Sequence, residues 1–495
     1  MRLPKLAATG RGQQPAYRQI AAHLRSEIES GKILPGDRLP PIRSLASDIG
    51  VNRDTVALAY EELASAGLLE SVVGRGTFVR GAAVGLAGAP LEVSLARNVE
   101  NLLAIENARP RFAEGSDLIP LHSLVPDPAF YPVDAFRRCL NRVLSQGGAE
   151  LLEYGAPQGH AGLREVIAAR FEAAGCRPGA DEIVLCHGAS QGISLALRLF
   201  AQPGDAVAVE LPTYHNLLST LVALGLQAVP VPLGLDGPDL EQLERVLSRP
   251  EVKAFYTIPT FHNPMGTTTS TAARRQLLEV AGRCGTPVIE DGFEMDLRCV
   301  GRDVPPLAAL DQRGLVVHLS SFSKSLFPGV RVGSITARGR VLEGLLALKH
   351  STDLSDAMPL QAALEEFVRS GEYDRHLGRM RRMLRSRTRA MLAALESEMP
   401  DGSTWTEPEG GYQVWLELGF DVDTRDLLAD AAREGVLFAP GSQFLTDRGP
   451  SRGLRLTLAQ ADEDEIQRGV EILGKVIRRR QKSAPTGLGA SAVNM

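Results

Sequence analysis

The sequence predicts a multidomain chain: an N-terminal winged helix-turn-helix, mainly helical, over residues 12–80, and a larger α/β domain over residues 121–480. Three observations carry this. The chain has 495 residues, several times the size of one domain, so more than one core is expected. Apolar residues recur at helical spacing near the N-terminus and give way to a glycine-centred hairpin pattern. Beyond residue 121, short unalternating apolar runs interleave with helical stretches, the pattern of a mostly parallel sheet covered on both faces.

Composition fits a globular chain. Apolar residues make up 44% and charged residues 23%, and no apolar run approaches the roughly 20 residues a spanning helix needs. The opening MRLPKLAATG lacks an apolar core of signal-peptide length, so the cytoplasm is the expected compartment. The five cysteines (Cys139, Cys176, Cys186, Cys284 and Cys299) are dispersed and never spaced CxxC; reduced thiols are expected, with no disulfide frame and no metal site. The net charge of -5 is uneven: residues 1–80 carry +3 and the remainder -8. A surplus of three is common on solvated helix faces and does not by itself assign a nucleic-acid partner.

In the N-terminal unit, Ile20, Leu24 and Ile28 lie one turn apart within a helix predicted over Ala16 to Ser30, and Gly31 stops it. Pro40-Pro41 lead into a second helix, Ile42 to Ile49, since proline is tolerated in a first turn. Gly50-Val51 turn the chain, and Asn52 can cap a third helix reaching about Ala66. Two short helices joined this way form a helix-turn-helix whose second helix can enter a major groove. Leu68 to Val79, with Gly74-Arg75-Gly76 at its centre, reads as two strands of a wing. The run from PAYRQIAAHL to VVGRGTFV resembles the DNA-binding domain of the GntR family almost from end to end. That resemblance implies double-stranded operator DNA as partner, contacted by Arg43, Asn52, Arg53, Thr55, Gly74, Arg75 and Gly76. Arginine can bridge two acceptors on guanine or bind phosphate, and glycine lets backbone approach the sugar-phosphate edge.

The stretch GAAVGLAGAP opens a span, residues 81–120, too poor in apolar bulk to form a core, and a linker is expected there. Strands are predicted at 182–185, 206–209, 287–289 and 315–319, with a helix from Gln191 to Phe200. The large part of this domain is expected over about 121–350 and a smaller part over about 351–480. The basic, then small and polar end reads as a frayed tail from Arg478, disordered over 481–495.

The most informative segment is Ser320 to Gly333, SSFSKSLFPGVRVG, directly after an apolar strand. A lone lysine is ordinary surface decoration. Here Lys324 has hydroxyls before it and Arg331 seven residues later, which suits a phosphorylated aldehyde: the amine forms a Schiff base while Ser321 and Arg331 hold the phosphate.

Other segments carry a broader resemblance. Tyr154-Gly155-Ala156-Pro157-Gln158-Gly159, Gly188-Ala189-Ser190-Gln191, Pro212-Thr213-Tyr214, His262-Asn263-Pro264-Met265-Gly266, Glu290-Asp291-Gly292-Phe293 and Arg455 within LRLTLA are similar to the fold-type I aminotransferases. In particular they resemble the MocR-type regulators, which join such a domain to a GntR head. The resemblance implies pyridoxal 5'-phosphate as cofactor, anchored on Lys324. Asp291 would pair with the pyridine nitrogen and keep it protonated, and Asn263 would donate to the phenolic oxygen. Ala189 and Ser190 would offer N–H groups to the phosphate at a helix N-terminus, and Tyr214 would stack on the ring. Arg455 would fork a ligand carboxylate. A head-to-tail homodimer sensing an amine, an amino acid or the cofactor itself is implied; a working cytosolic aminotransferase with an appended DNA-binding domain is the alternative. One departure stands out: Phe293 replaces the tyrosine that the family commonly carries two residues after the aspartate, so that donor to the phenolic oxygen is lost.

Overall fold

In a computed structural model of the chain, residues 15–72, 76–80, 93–107, 118–173 and 175–483 are described. They divide into two compact units, residues 1–95 and 96–495.

In the first unit the three helices are Ala16–Glu29, Ile42–Ile49 and Arg53–Ser65, followed by an antiparallel hairpin of Leu69–Val72 and Gly76–Val79. Gly50 ends the second helix in a left-handed conformation, φ 70°, and so makes the sharp turn of the helix-turn-helix. Asn52 caps the third helix as expected, its side chain accepting from Asp54 N at 3.2 Å. Ile20, Leu24, Leu39, Leu45, Val56, Tyr60, Leu63, Leu69 and Val79 close one core. The segment before the second helix joins the wing: Leu39 N donates to Thr77 O and Gly36 N to Val79 O, both at 2.9 Å. Tyr60 is buried against this joint, and its hydroxyl donates to Pro40 O at 2.8 Å; burial pushes its pKa up to about 12.

The second unit is built on an eight-stranded sheet in the order Ile183–Cys186, Gly333–Thr336, Val316–Ser321, Val288–Asp291, Val252–Thr257, Ala206–Leu211, Gln227–Gly234, Gly237–Pro238. Only Gly333–Thr336 and the short Gly237–Pro238 run against the other strands, so the mostly parallel sheet read from unalternating apolar runs is the observed one. The reason is visible in the core: Val207, Val209, Tyr256 and Ile289 pack on one face, and Ala206, Ala208, Phe255 and Val288 on the other. A second, antiparallel sheet orders Thr404–Trp405, Gln413–Glu417, Gly453–Thr457 and Ala439–Pro440. It shares a core with the helices Glu372–Glu398 and Glu463–Ser483.

Two stretches differ from expectation. Within the span expected to be a linker, Arg97–Asn107 is an α-helix that packs on the helix His215–Ala223, with Asn98 Nδ2 donating to Ala223 O at 2.6 Å. At the end of that span Ile119–Pro120 pairs with Val436–Leu437. The tail expected to fray from Arg478 continues as helix to Ser483. Solvated arginines and packed ones look alike in sequence, but Arg478 Nη2 lies 3.2 Å from Glu398 Oε2 and Arg480 pairs with Asp430. Residues 484–495 lie outside the described residues. No described helix is long and apolar enough to cross a membrane.

Candidate functional site

Parallel strands in an open α/β sheet leave a crevice at their C-terminal ends, where the connecting loops diverge. In this chain the strand ends and loops there, joined by Arg455 from the antiparallel sheet, carry the residues singled out from sequence, and all of the cofactor and ligand candidates line one cavity of about 490 Å³: Ala189, Ser190, Tyr214, Asn263, Asp291, Ser321, Lys324, Arg331 and Arg455. A cavity of that size is in the range of small-molecule sites.

At one end, Gly188 turns the chain from the strand Ile183–Cys186 into the helix Ala189–Phe200. Its φ of 80° and the approach of Arg331 require glycine, since a Cβ there would lie 3.0 Å from the guanidinium. Arg331, itself left-handed at φ 48°, donates from Nη2 to His187 O at 2.7 Å and stays exposed beside the helix N-terminus. Ser321 Oγ accepts from Ser323 N at 3.2 Å, and the buried Ser323 Oγ has no hydrogen-bond partner among the described residues. Guanidinium, hydroxyls and the N–H groups of a helix N-terminus could together hold a dianion.

In the floor, Asp291 ends its strand fully buried. Tyr256 OH donates to Oδ2 at 2.6 Å, while Oδ1 has no hydrogen-bond partner among the described residues. Burial pushes this carboxyl up to about 6, against the Tyr256 hydrogen bond and the nearby His318. A buried carboxylate oxygen without a donor is costly, and a protonated ring nitrogen facing it would satisfy it.

Lys324 Nζ donates to Leu124 O at 2.8 Å; burial lowers its pKa, as do Arg455 and Arg331, while Glu294 raises it. Arg455 is buried over the Phe444 ring at 5.0 Å, with Nη1 donating to Asn263 Oδ1 at 2.9 Å and Nη2 to His122 O at 2.8 Å. Burial lowers it to about 10. Phe293 also lines the cavity and has no hydroxyl to donate there. Amine, unsatisfied acid and anion cradle converge as a pyridoxal phosphate requires, and the residues present fit that group.

Sequence reasoning missed Tyr256, Glu294, His122 and the Leu124 carbonyl. Tyr256 reads as strand core, and the other three are brought in by chain segments distant in sequence from the lysine. His187, Asp353 and Asp356 bring ligand atoms within 4.8 Å of one another. The buried Lys349 already reaches both carboxylates, at 3.3 and 3.1 Å.

In the first unit, Arg43, Asn52 and Arg53 are exposed and Thr55 half-buried at the start of the third helix. Arg53 Nε lies 3.7 Å from Asp54, a weak surface pair. Gly76 opens the second wing strand at φ 117°, where a Cβ would meet Arg38 Nε at 2.6 Å. Exposed Arg38 was not read from sequence as a site residue. Gly74 and Arg75 lie outside the described residues.

The chain matches the family "Bacterial regulatory proteins, gntR family" over residues 16–79 and "Aminotransferase class I and II" over residues 127–473. It is 32% identical to the "Uncharacterized HTH-type transcriptional regulator YdcR" of Escherichia coli, over 94% of this chain and 99% of that one. It is 29% identical to the "Probable rhizopine catabolism regulatory protein MocR" of Rhizobium meliloti, over 93% of each. Among solved structures, the alpha-aminoadipate aminotransferase LysN of Thermus thermophilus, complexed with N-(5'-phosphopyridoxyl)-L-leucine, superposes with a TM-score of 0.70 at 31% identity, covering 79% of this chain and 96% of that one. An intact GntR-type helix-turn-helix followed by a fold-type I, pyridoxal-phosphate-type aminotransferase domain places the chain in the family of MocR-like transcription regulators.

Proposed function

We propose that this regulator senses an amine or amino acid, or the cofactor itself, in the cavity of its aminotransferase-like domain, and that occupancy of the cavity alters how the DNA-binding domains meet an operator. One observation carries the reading: Lys324, the unsatisfied Asp291 Oδ1, the Arg331 cradle and Arg455 face a single cavity in a chain that also keeps a complete helix-turn-helix. Pyridoxal phosphate bound there supplies an aldehyde reactive toward amines and an electron-withdrawing ring.

The chain's own residues would do the rest. Arg331, Ser321 and the N–H groups of Ala189 and Ser190 would hold the phosphate; Asp291 would keep the ring nitrogen protonated; Asn263 would donate to the ring oxygen and Tyr214 would cover the ring. Arg455 would receive a ligand carboxylate in exchange for the acceptors it now holds, and Lys324 Nζ would hold the aldehyde in competition with a ligand amine. A ligand shifts a conformational equilibrium only by its differential affinity for two states, so loss of the Lys324 attachment is the event that must be felt. We further propose a head-to-tail homodimer presenting two DNA-binding domains, acting in the cytoplasm, with Arg43, Asn52, Arg53, Thr55 and the wing residues Gly74, Arg75 and Gly76 against the duplex.

The test is operator binding by cofactor-loaded protein after genome-wide fragment selection, with and without a panel of amino acids. A ligand that changes operator affinity at least fivefold, and does so only when Lys324 is intact, supports the reading; operator binding indifferent to every amine and to cofactor loading rejects it. The second reading, a working aminotransferase, is favoured by the 31% identity to an aminotransferase and by the presence of Lys324, Asp291, Asn263, Arg331 and Arg455. Sustained turnover of an amino donor with a 2-oxo acid would establish it.

A further inference from the structure

Glu294 lies three residues beyond Asp291 and is 1% exposed, although nothing in the sequence around it marks it as buried. The chain segment that encloses it comes from the antiparallel sheet. Gly411, at φ 73°, passes so close that a Cβ would sit 2.6 Å from Glu294 Oε2, and the next residue, Tyr412, donates its N–H to that oxygen at 3.2 Å. Oε1 has no partner. Tyr412 reaches in a second direction: its hydroxyl donates to Lys324 O at 2.8 Å. One residue therefore ties the carboxyl to the lysine.

The charges around this pair are uneven. Burial disfavours a proton on Lys324 most, and Arg455 and Arg331 disfavour it further. Glu294 is the carboxyl that opposes them. The groups facing it are Lys324, Arg455, the Tyr412 N–H and the Gln413 amide; each favours its ionised form, while burial lifts it to about 7. Glu294 is not among the side chains lining the cavity, so it acts through the lysine rather than on a ligand.

We propose that Glu294 is a positioning residue for Lys324: clamped by the Gly411–Tyr412 backbone, its carboxylate supplies the negative charge that keeps a proton on Nζ and so sets the pH at which the anchored cofactor changes protonation state. The inference rests on Lys324 being the cofactor anchor.

The test is a pH titration of the visible absorbance of cofactor-loaded, full-length protein, comparing wild type with Glu294→Gln, Glu294→Met and Glu294→Asp. A unit charge within roughly 10 Å of Nζ, at an effective dielectric constant near 20, would be worth about one pH unit or more. The Gln and Met variants should therefore titrate about one unit lower than wild type, and Asp should restore most of the difference. Coincident midpoints in wild type and either neutral variant overturn the proposal. So does a pair of neutral variants that fold with wild-type circular dichroism yet never load cofactor, because the residue would then serve packing and not the charge on Nζ. Failure of the wild type to load at all would instead remove the reading of Lys324 as the anchor.

Discussion

Replacing Asp291 by asparagine should move two properties in opposite directions. In the cofactor-free chain the carboxyl is fully buried and titrates at about 6 against an ordinary 3.8. A raised carboxyl favours its protonated form in the folded state, so the fold loses stability as pH rises from about 3.8 through about 6 and regains none above it. The difference of about two units corresponds to about 3 kcal/mol at neutral pH. The substituted amide has no charge to bury and can still accept the Tyr256 hydroxyl. The cofactor-free Asp291→Asn variant should therefore be more stable than wild type above about pH 6, by up to about 3 kcal/mol, and equal to it near about pH 4. Cofactor affinity should fall instead. The amide cannot pair with a protonated ring nitrogen, and losing one partner of a buried charged pair costs about 3 kcal/mol, roughly 100-fold in Kd. Denaturant melts of the cofactor-free proteins and fluorescence titrations with pyridoxal phosphate, both at about pH 8 and about pH 5, on either side of the raised carboxyl, measure the two effects. A variant that binds cofactor within about threefold of wild type at the higher pH would refute the assignment of Asp291. A variant less stable than wild type without cofactor would refute the electrostatic account of its burial.

Much of this was legible in the chain itself, for identifiable reasons. The period of Ile20 and Leu24, the Asn52 cap and the glycine at 50 specify the helix-turn-helix locally, because each acts within one turn of its own position. The positions of Asp291 at a strand end and of Lys324 just beyond one follow from short apolar runs that both faces of a sheet must bury. Glu294 was not legible: it looks like a solvated turn residue until Gly411 and Tyr412, more than a hundred positions later, fold over it. Helix Arg97–Asn107 was missed because its apolar residues remain largely exposed, leaving no buried stripe to detect. The arginines near residue 480 read as a solvated tail because their acidic partners are distant in sequence.

Further outcomes follow from the same geometry. Phe293→Tyr adds a donor to the ring oxygen and should lower the pH midpoint of the visible absorbance; an unchanged midpoint would contradict the assigned position of that side chain. Arg53→Ala should weaken operator binding and reduce the slope of log affinity against log salt by about 0.9 if it neutralises one phosphate, as fluorescence anisotropy across a salt series would show. Asn52→Ala removes the cap on the third helix and should cost about 1 kcal/mol of stability in the first unit, read as an earlier denaturant transition.

The most direct measurement is borohydride reduction of cofactor-loaded protein followed by peptide mass mapping. One pyridoxyl group per chain, fixed to Lys324 and absent from Lys324→Ala, is the predicted result. Fixation to another lysine, or none at saturating cofactor, would contradict the account.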